Sequence, residues 1–148
     1  MVTKNEPKNE SKNERYSGQY NRLFPMKTSV NTFIRVYLLF LLDKHESMYG
    51  KEMIDRMRKR FQGSWSPSHG LVYPILAELE KEELIRGIWT KGPGNRQVKK
   101  YQLTEKGREN FSAERGVAEK AFEDSLMMLE LFMIDVYETE MYDFSTEE

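Results

Sequence analysis

Two groups of residues between positions 65 and 107 have the types and spacing to contact a polyanion. The first is Ser66-Pro67-Ser68-His69-Gly70-Leu71-Val72-Tyr73, at the head of an apolar-striped segment that reads as a helix. Ser66, Ser68 and His69 are short polar groups, and Gly70 permits close backbone approach. The unsatisfied N–H groups and positive dipole end of a helix N-terminus attract phosphate. The second group is cationic. Lys91, Asn95, Arg96, Lys99 and Lys100 lie in and around the turn Lys91-Gly92-Pro93-Gly94-Asn95-Arg96, between two runs rich in β-branched and aromatic residues. Such runs flanking a Gly-Pro turn signal a hairpin. A helix that hands over to a basic two-stranded ribbon suits duplex DNA, with the helix in the major groove and the ribbon on the backbone or minor groove. The ribbon would set affinity and salt dependence more than sequence preference. Leu71 either meets a thymine methyl or packs in the core. Tyr73 either hydrogen-bonds a phosphate or packs half-buried. Lys99 and Lys100 alternate along a strand, so only one of them faces DNA.

Other chemistry is poorly supplied. The chain has no cysteine, which excludes disulfides, thiolate catalysis and Cys-ligated zinc. Its two histidines, His45 and His69, have no ligand-spaced partner, so no metal site is expected. No nucleophile motif or Walker-type phosphate loop is present, and Gly92-Pro93-Gly94 is a turn rather than a nucleotide cradle. Neither an enzyme nor a cofactor is expected. Glu78, Glu80, Glu82 and Glu83 read as a solvated helix face.

The elements that must position these groups follow from periodicity. Residues 1–26 repeat Lys-Asn-Glu three times and hold almost no apolar residue before Leu23, so a disordered arm is expected. Helix one is expected over 29–43, with Phe33, Ile34, Tyr37, Leu38, Leu41 and Leu42 on one face and Val36, Leu39 and Phe40 widening it. Helix two is expected to start near Ser47 as N-cap, with Met53, Ile54, Met57 and Phe61 inward and Arg56, Arg58, Lys59 and Arg60 outward. Ser68 reads as the N-cap of helix three, with Leu71, Val72, Ile75, Leu76 and Leu79 as its core stripe and an end near Glu82. Thr104 caps a last helix running to about Glu140, with a break expected near Gly116 and a frayed tail from Met141. Residues 125–137 of that helix are nearly all apolar, more than a small monomer can hide. Burial against another chain is worth about 1.5–3 kcal/mol per large side chain. Phe33, Tyr37 and Phe40 on helix one, with Phe122, Leu126, Leu129, Phe132, Met133 and Val136 on the last helix, are the expected homodimer residues. Trp65, Trp89, Met127, Met128, Phe132 and Met133 line either an apolar effector pocket or a plain dimer core.

The net charge of −1 hides a segregation. Residues 27–108 carry 16 Lys/Arg against 9 Asp/Glu, a net +7, whereas residues 109–148 carry 2 against 12, a net −10. A basic module beside an acidic segment is common among nucleic-acid binders. The longest apolar segments, 36–42 and 126–137, are too short to span a bilayer, and no apolar run follows Met1, so a signal peptide and a membrane partner are not expected. A cytoplasmic location is the expectation.

The motifs combine into a known pattern. Met48-Tyr49-Gly50 opens helix two, and Phe61, Gly63 and Trp65 follow it. Pro67-Ser68-x-Gly70, Tyr73-Pro74, Leu76 and Leu79-Glu80 mark helix three. Leu84-Ile85 enters the hairpin, Gly94-x-Arg96 turns it, and Lys99-Lys100-Tyr101-x-Leu103-Thr104-x-x-Gly107 leaves it. Over about residues 30–110 the chain resembles the PadR family of bacterial winged-helix transcriptional regulators. The resemblance implies a mainly α fold with a small β-hairpin, a winged helix-turn-helix over 27–104, and a C-terminal dimerisation helix with an acidic tail over 105–148. It implies a repressor released by a small molecule or stress signal, and a dimer whose last helix packs on the partner's first helix. Tyr49 and Lys51, opening helix two, join the expected DNA contacts. The expected partners are double-stranded DNA, a second copy of the chain and a small-molecule effector. The alternatives are a winged-helix dimer serving replication or chromosome architecture, and a protein-interaction module. Four positions depart from the family pattern. His69 stands where Pro is common, Leu71 where a small hydroxyl residue is common, Lys51 where an aromatic is usual, and Glu83 where Gly is usual. The first two sit at the tip of helix three, so the operator sequence cannot be borrowed from relatives.

Overall fold

A computed structural model describes residues 29–62 and 65–138. The expected N-terminal arm and the tail from Met141 lie outside the described residues. The chain divides into a unit spanning Val30–Lys120 and a second that includes the chain from Ala121. In order, the elements are α1 (Val30–Lys44), β1 (Met48–Tyr49), α2 (Gly50–Arg60), α3 (His69–Lys81), β2 (Ile85–Lys91), a 3-10 turn (Pro93–Asn95), β3 (Gln97–Leu103), α4 (Glu105–Met133) and a π-type turn (Ile134–Glu138). This is a mainly helical winged helix with a small antiparallel sheet, as the periodicity and the resemblance predict.

The core of the first unit is where the apolar stripes converge. Ile34, Leu38 and Leu39 of α1, Met53, Ile54 and Met57 of α2, and Val72, Leu76 and Leu79 of α3 are wholly buried. Each contributes about 1.5–3 kcal/mol on burial. Leu84 just before β2, Ile85 and Tyr101 of the sheet, and Phe111 of α4 close the cluster. Leu71 is half-buried and packs against this core, which favours the packing reading for it.

The sheet has three strands in the order β1-β3-β2, one more than the hairpin alone. Met48 pairs with Tyr101 and Tyr49 with Lys100. This pairing corrects the expected start of the second helix. Met48 is only 3% exposed and is held in extended geometry opposite Tyr101, so the helix begins at Gly50 with Tyr49, not Ser47, as N-cap. The Tyr49 backbone N–H donates to Glu52 Oε2 at 3.1 Å, satisfying one donor at the helix start.

The end of α3 sets the root of the hairpin. The Leu84 N–H donates to the Leu79 carbonyl and the Glu83 N–H to the Glu80 carbonyl, both at 3.0 Å. That pair of bonds is a Schellman cap, whose reversing residue adopts a left-handed conformation. Glu83 occupies it with φ 61°. Thr104 begins α4: its hydroxyl accepts the Gly107 N–H at 2.9 Å and donates to the Glu83 carbonyl at 2.7 Å. Gly107 must be glycine, because a Cβ there would lie 1.9 Å from the Leu84 carbonyl oxygen.

The expected break at Gly116 does not occur: α4 is continuous from Glu105 to Met133. Gly116 is exposed and costs only about 1 kcal/mol relative to Ala, which a 29-residue helix tolerates. In the second unit, Phe122 is half-buried, while Leu126, Leu129, Phe132, Met133 and Val136 are 42–58% exposed. No helix among the described residues is long and apolar enough to cross a membrane.

Candidate nucleic-acid interface

The approach to α3 is built by residues 65–68. Pro67 is buried, and Ser68 is an extended N-cap with φ −76° and ψ 157°. The Ser68 carbonyl accepts N–H bonds from both Leu71 and Val72 at 3.1 Å. Its hydroxyl makes no capping bond, so the cap is a backbone one. Ser66 is tied back to the preceding helix: its hydroxyl accepts a 3.2 Å bond from Arg58 Nε. The arginine thus bridges two elements instead of standing freely outward.

Burial divides α3 into two faces. Val72, Ile75, Leu76 and Leu79 are inward, and His69, Gly70, Tyr73, Pro74 and Ala77 are exposed along the other side. The His69 ring stacks on the Tyr73 ring at 5.7 Å and 24°. Tyr73 shows packing, one of its two expected roles. It is 41% exposed, yet its ring lies over Gly50, where a Cβ would come 2.9 Å from Tyr73 Cε1. A side chain at position 50 would fit only if this ring moved aside.

The hairpin holds its partners in register from Ile85↔Leu103 to Lys91↔Gln97. Its turn uses left-handed Gly94 (φ 73°) and Asn95 (φ 63°), and the Gly92 N–H donates to the Arg96 carbonyl at 2.7 Å to close it. Lys91, Asn95 and Arg96 are exposed there, and neither cation forms an ion pair among the described residues. Lys51 is exposed at the start of α2. The Tyr49 hydroxyl lies 3.3 Å from Thr90 Oγ1, and Lys100 Nζ sits 5.0 Å from the centroid of the Tyr49 ring.

Lys99 departs from the expected set. Its Nζ donates to both oxygens of Glu80 at 2.9 Å and lies 5.5 Å from the centroid of the Trp89 ring. The alternation of the strand sends Lys100 to the sheet face that carries Tyr49 and sends Lys99 to α3. Of the two, only Lys99 forms an ion pair among the described residues.

The acidic face expected on α3 is solvated at Glu78, Glu82 and Glu83 and departs from that expectation at Glu80. Glu80 is bound by Lys99, and two of the others flank Arg35 of α1. Arg35 Nε donates to both oxygens of Glu114 at 3.0 Å, Nη2 meets Glu114 Oε1 at 2.8 Å, and Nη1 lies 2.7 Å from Glu82 and 3.7 Å from Glu78. The hydrogen bonds to Glu114 raise the guanidinium pKa above its ordinary value, against the opposing effect of burial. This group ties α1, α3 and α4 together, and the sequence reading missed it. The signal is a single arginine inside the otherwise apolar run 33–42. Burial also raises the Tyr101 phenol pKa, helped by the nearby charge of Glu80.

The remaining expected residues form an aromatic group on α1. Phe33, Tyr37 and Phe40 are half-buried and join Phe61 and Trp65, with ring centroids 5.5–6.2 Å apart. Among the described residues, no cluster of three or more His, Cys, Asp or Glu is placed to hold a metal ion.

No curated protein sequence matches the chain. Several solved structures share its fold. A transcriptional regulator from Clostridium thermocellum superposes with a TM-score of 0.54 at 19% identity, over 64% of this chain and 94% of the other. A PadR-like transcription factor from Bacteroides fragilis gives 0.53 at 18% identity, over 77% and 98%. The circadian clock associated protein Pex from Anabaena gives 0.54 at 19% identity, over 76% and 96%. The sequence model of the PadR-like transcriptional regulators matches residues 38–113, from the middle of α1 through the sheet into α4. With half of its length matched in this way, the chain belongs to the PadR-like family of DNA-binding transcriptional regulators.

Proposed function

We propose that the protein is a homodimeric repressor that binds a pseudo-palindromic duplex operator, with half-sites about one helical turn apart. The observation that carries this reading is the pairing of two exposed features in one module. One is the α3 face of His69, Gly70 and Tyr73. The other is a hairpin tip whose Lys91 and Arg96 have no internal ion pair among the described residues. In this reading α3 enters the major groove by its N-terminal end, with Ser68 and the first N–H groups toward phosphate. Lys91, Asn95, Arg96 and Lys100 meet the backbone, and Lys51 and Tyr49 add contacts from the start of α2. Ser66 acts through Arg58 in shaping the approach to the helix.

Dimerisation is supported by the exposed apolar side chains of α4. Leu126, Leu129, Phe132, Met133 and Val136 are already about half covered, so burial against a second copy offers roughly half of the about 1.5–3 kcal/mol of full burial each, with the aromatic face of α1 as the counterpart. Release by a small apolar molecule would act at that interface, and the site of action is the cytoplasm.

A titration of fluorescent duplexes from the chain's own upstream region tests the reading. Arg96→Ala should weaken operator and random DNA alike and reduce the slope of log K against log salt by about 1 per protomer. Unchanged binding to both would overturn the assignment of the hairpin tip. Failure of the wild-type protein to bind any duplex would favour a protein-interaction module instead.

A further inference from the structure

We propose that Glu80, Lys99 and Gly87 form a strut that fixes the angle of the hairpin to α3, so that backbone contacts fall at a set distance from base contacts. The proposal deepens the operator-binding reading and rests on it. A lysine on an exposed hairpin would ordinarily keep its head in water. Here Lys99 Nζ meets both oxygens of Glu80 at 2.9 Å, and the two side chains are only 29% and 31% exposed. Trp89, paired directly across from Lys99, covers the ammonium from the strand side. Gly87 provides the space: a Cβ there would stand 2.8 Å from Lys99 Cε and 3.0 Å from Glu80 Oε2. A helix carboxylate, a strand ammonium and a side-chain-free strand position meet at one point.

The location of that point gives the strut its use. The root of the hairpin is anchored by buried Leu84, Ile85 and Tyr101. Beyond Trp89 and Lys99, positions 91 and 93–97 are all exposed. A two-stranded ribbon twists easily when nothing holds its faces. Arg96 lies three residues beyond Lys99, about 10 Å along the strand, so a swing of about 10° at the strut moves the tip by about 2 Å. That displacement is enough to break a phosphate hydrogen bond. Lys99 and Glu80 are thus positioning residues that act through Lys91 and Arg96.

The test separates positioning from charge. Glu80→Gln removes a negative charge near DNA, which by long-range electrostatics alone tightens binding. The strut predicts the opposite, a loss of roughly tenfold on the operator, comparable to losing a phosphate contact in each protomer. Gly87→Ala keeps both charges and should give the same loss. The exchange Glu80→Lys with Lys99→Glu should recover most of it. Hydroxyl-radical footprints should show weaker or shifted protection under the hairpin with α3 protection retained. Tighter binding by Glu80→Gln, or a wild-type footprint in both single variants, overturns the strut. A second readout needs no DNA: hydrogen exchange of the amides in 90–98 should quicken in Glu80→Gln and in Gly87→Ala, while the core amides of α3 stay unchanged. Unchanged exchange in the hairpin also overturns the proposal. Wild-type protein that bound no duplex would sink the operator reading alone, because exchange would still decide whether the strut holds the hairpin.

Discussion

Replacing Arg35 with methionine removes the cation from a group that joins three helices. Methionine keeps most of the aliphatic volume, so the loss reports charge and hydrogen bonding more than a cavity. The Arg35 side chain is 17% exposed, and its strongest partner, Glu114, is 27% exposed. Glu82 and Glu78, at 44% and 63%, are better solvated. Breaking a fully buried pair by deleting one partner costs about 3–5 kcal/mol. Exposed pairs are worth about 0–1 kcal/mol. The geometry here is bidentate and half-buried, and the deletion leaves three carboxylates facing one another. A loss of about 2–3 kcal/mol follows by interpolation between those limits. For a chain of this size that lowers the melting temperature by about 6–12 °C. Circular dichroism melts and urea titrations would measure it, and a double-mutant cycle with Glu114→Gln should return a coupling of about 1–2 kcal/mol. A variant within about 0.5 kcal/mol of wild type would show that the carboxylates are adequately solvated without the arginine, and the reasoning from its burial would fail.

Glu83→Gly should stabilise the protein by about 1 kcal/mol, because φ 61° strains any residue with a Cβ. A lower melting temperature would mean that the Glu83 side chain contributes more than the strain costs. Gly107→Ala should lose about 3 kcal/mol or more in urea, since the new Cβ collides with the Leu84 carbonyl, which also accepts the Thr104 N–H at 3.0 Å. A variant with an unchanged urea midpoint would contradict that geometry. Phe132→Glu should shift sedimentation from dimer to monomer at micromolar concentration. A wild-type chain already monomeric there would remove the basis for the homodimer.

Periodicity made the apolar stripes of α1, α2 and α3 legible, and the Gly-Pro-Gly-Asn turn marked the hairpin. Thr104 was readable as a cap because Thr followed by Gly three residues on is a local signal. What escaped the sequence was mostly non-local. Strand β1 is two residues long, and only its pairing with Tyr101 and Lys100 makes it a strand. No window along the chain contains that pairing, so Ser47 looked like the cap. The ion pairs of the α3 glutamates escape a local reading because their partners, Lys99 and Arg35, are 19 to 47 positions away in sequence. The alternation of Lys99 and Lys100 was visible, but the direction of each needed the face on which α3 packs. Gly116 has the local signature of a break, but one exposed glycine is a small penalty for so long a helix.

The ring of Tyr73 over Gly50 has a consequence for descent. Position 50 opens the helix beside the sheet, and position 73 lies on the exposed face of α3, yet they share one volume. A relative that gains a side chain at 50 should carry a smaller or differently turned residue at 73, so the two columns would covary across the family. Drift at a buried backbone position would thereby reach the residue beside His69, and the target sequence of a lineage could change without selection having acted on the reading face itself.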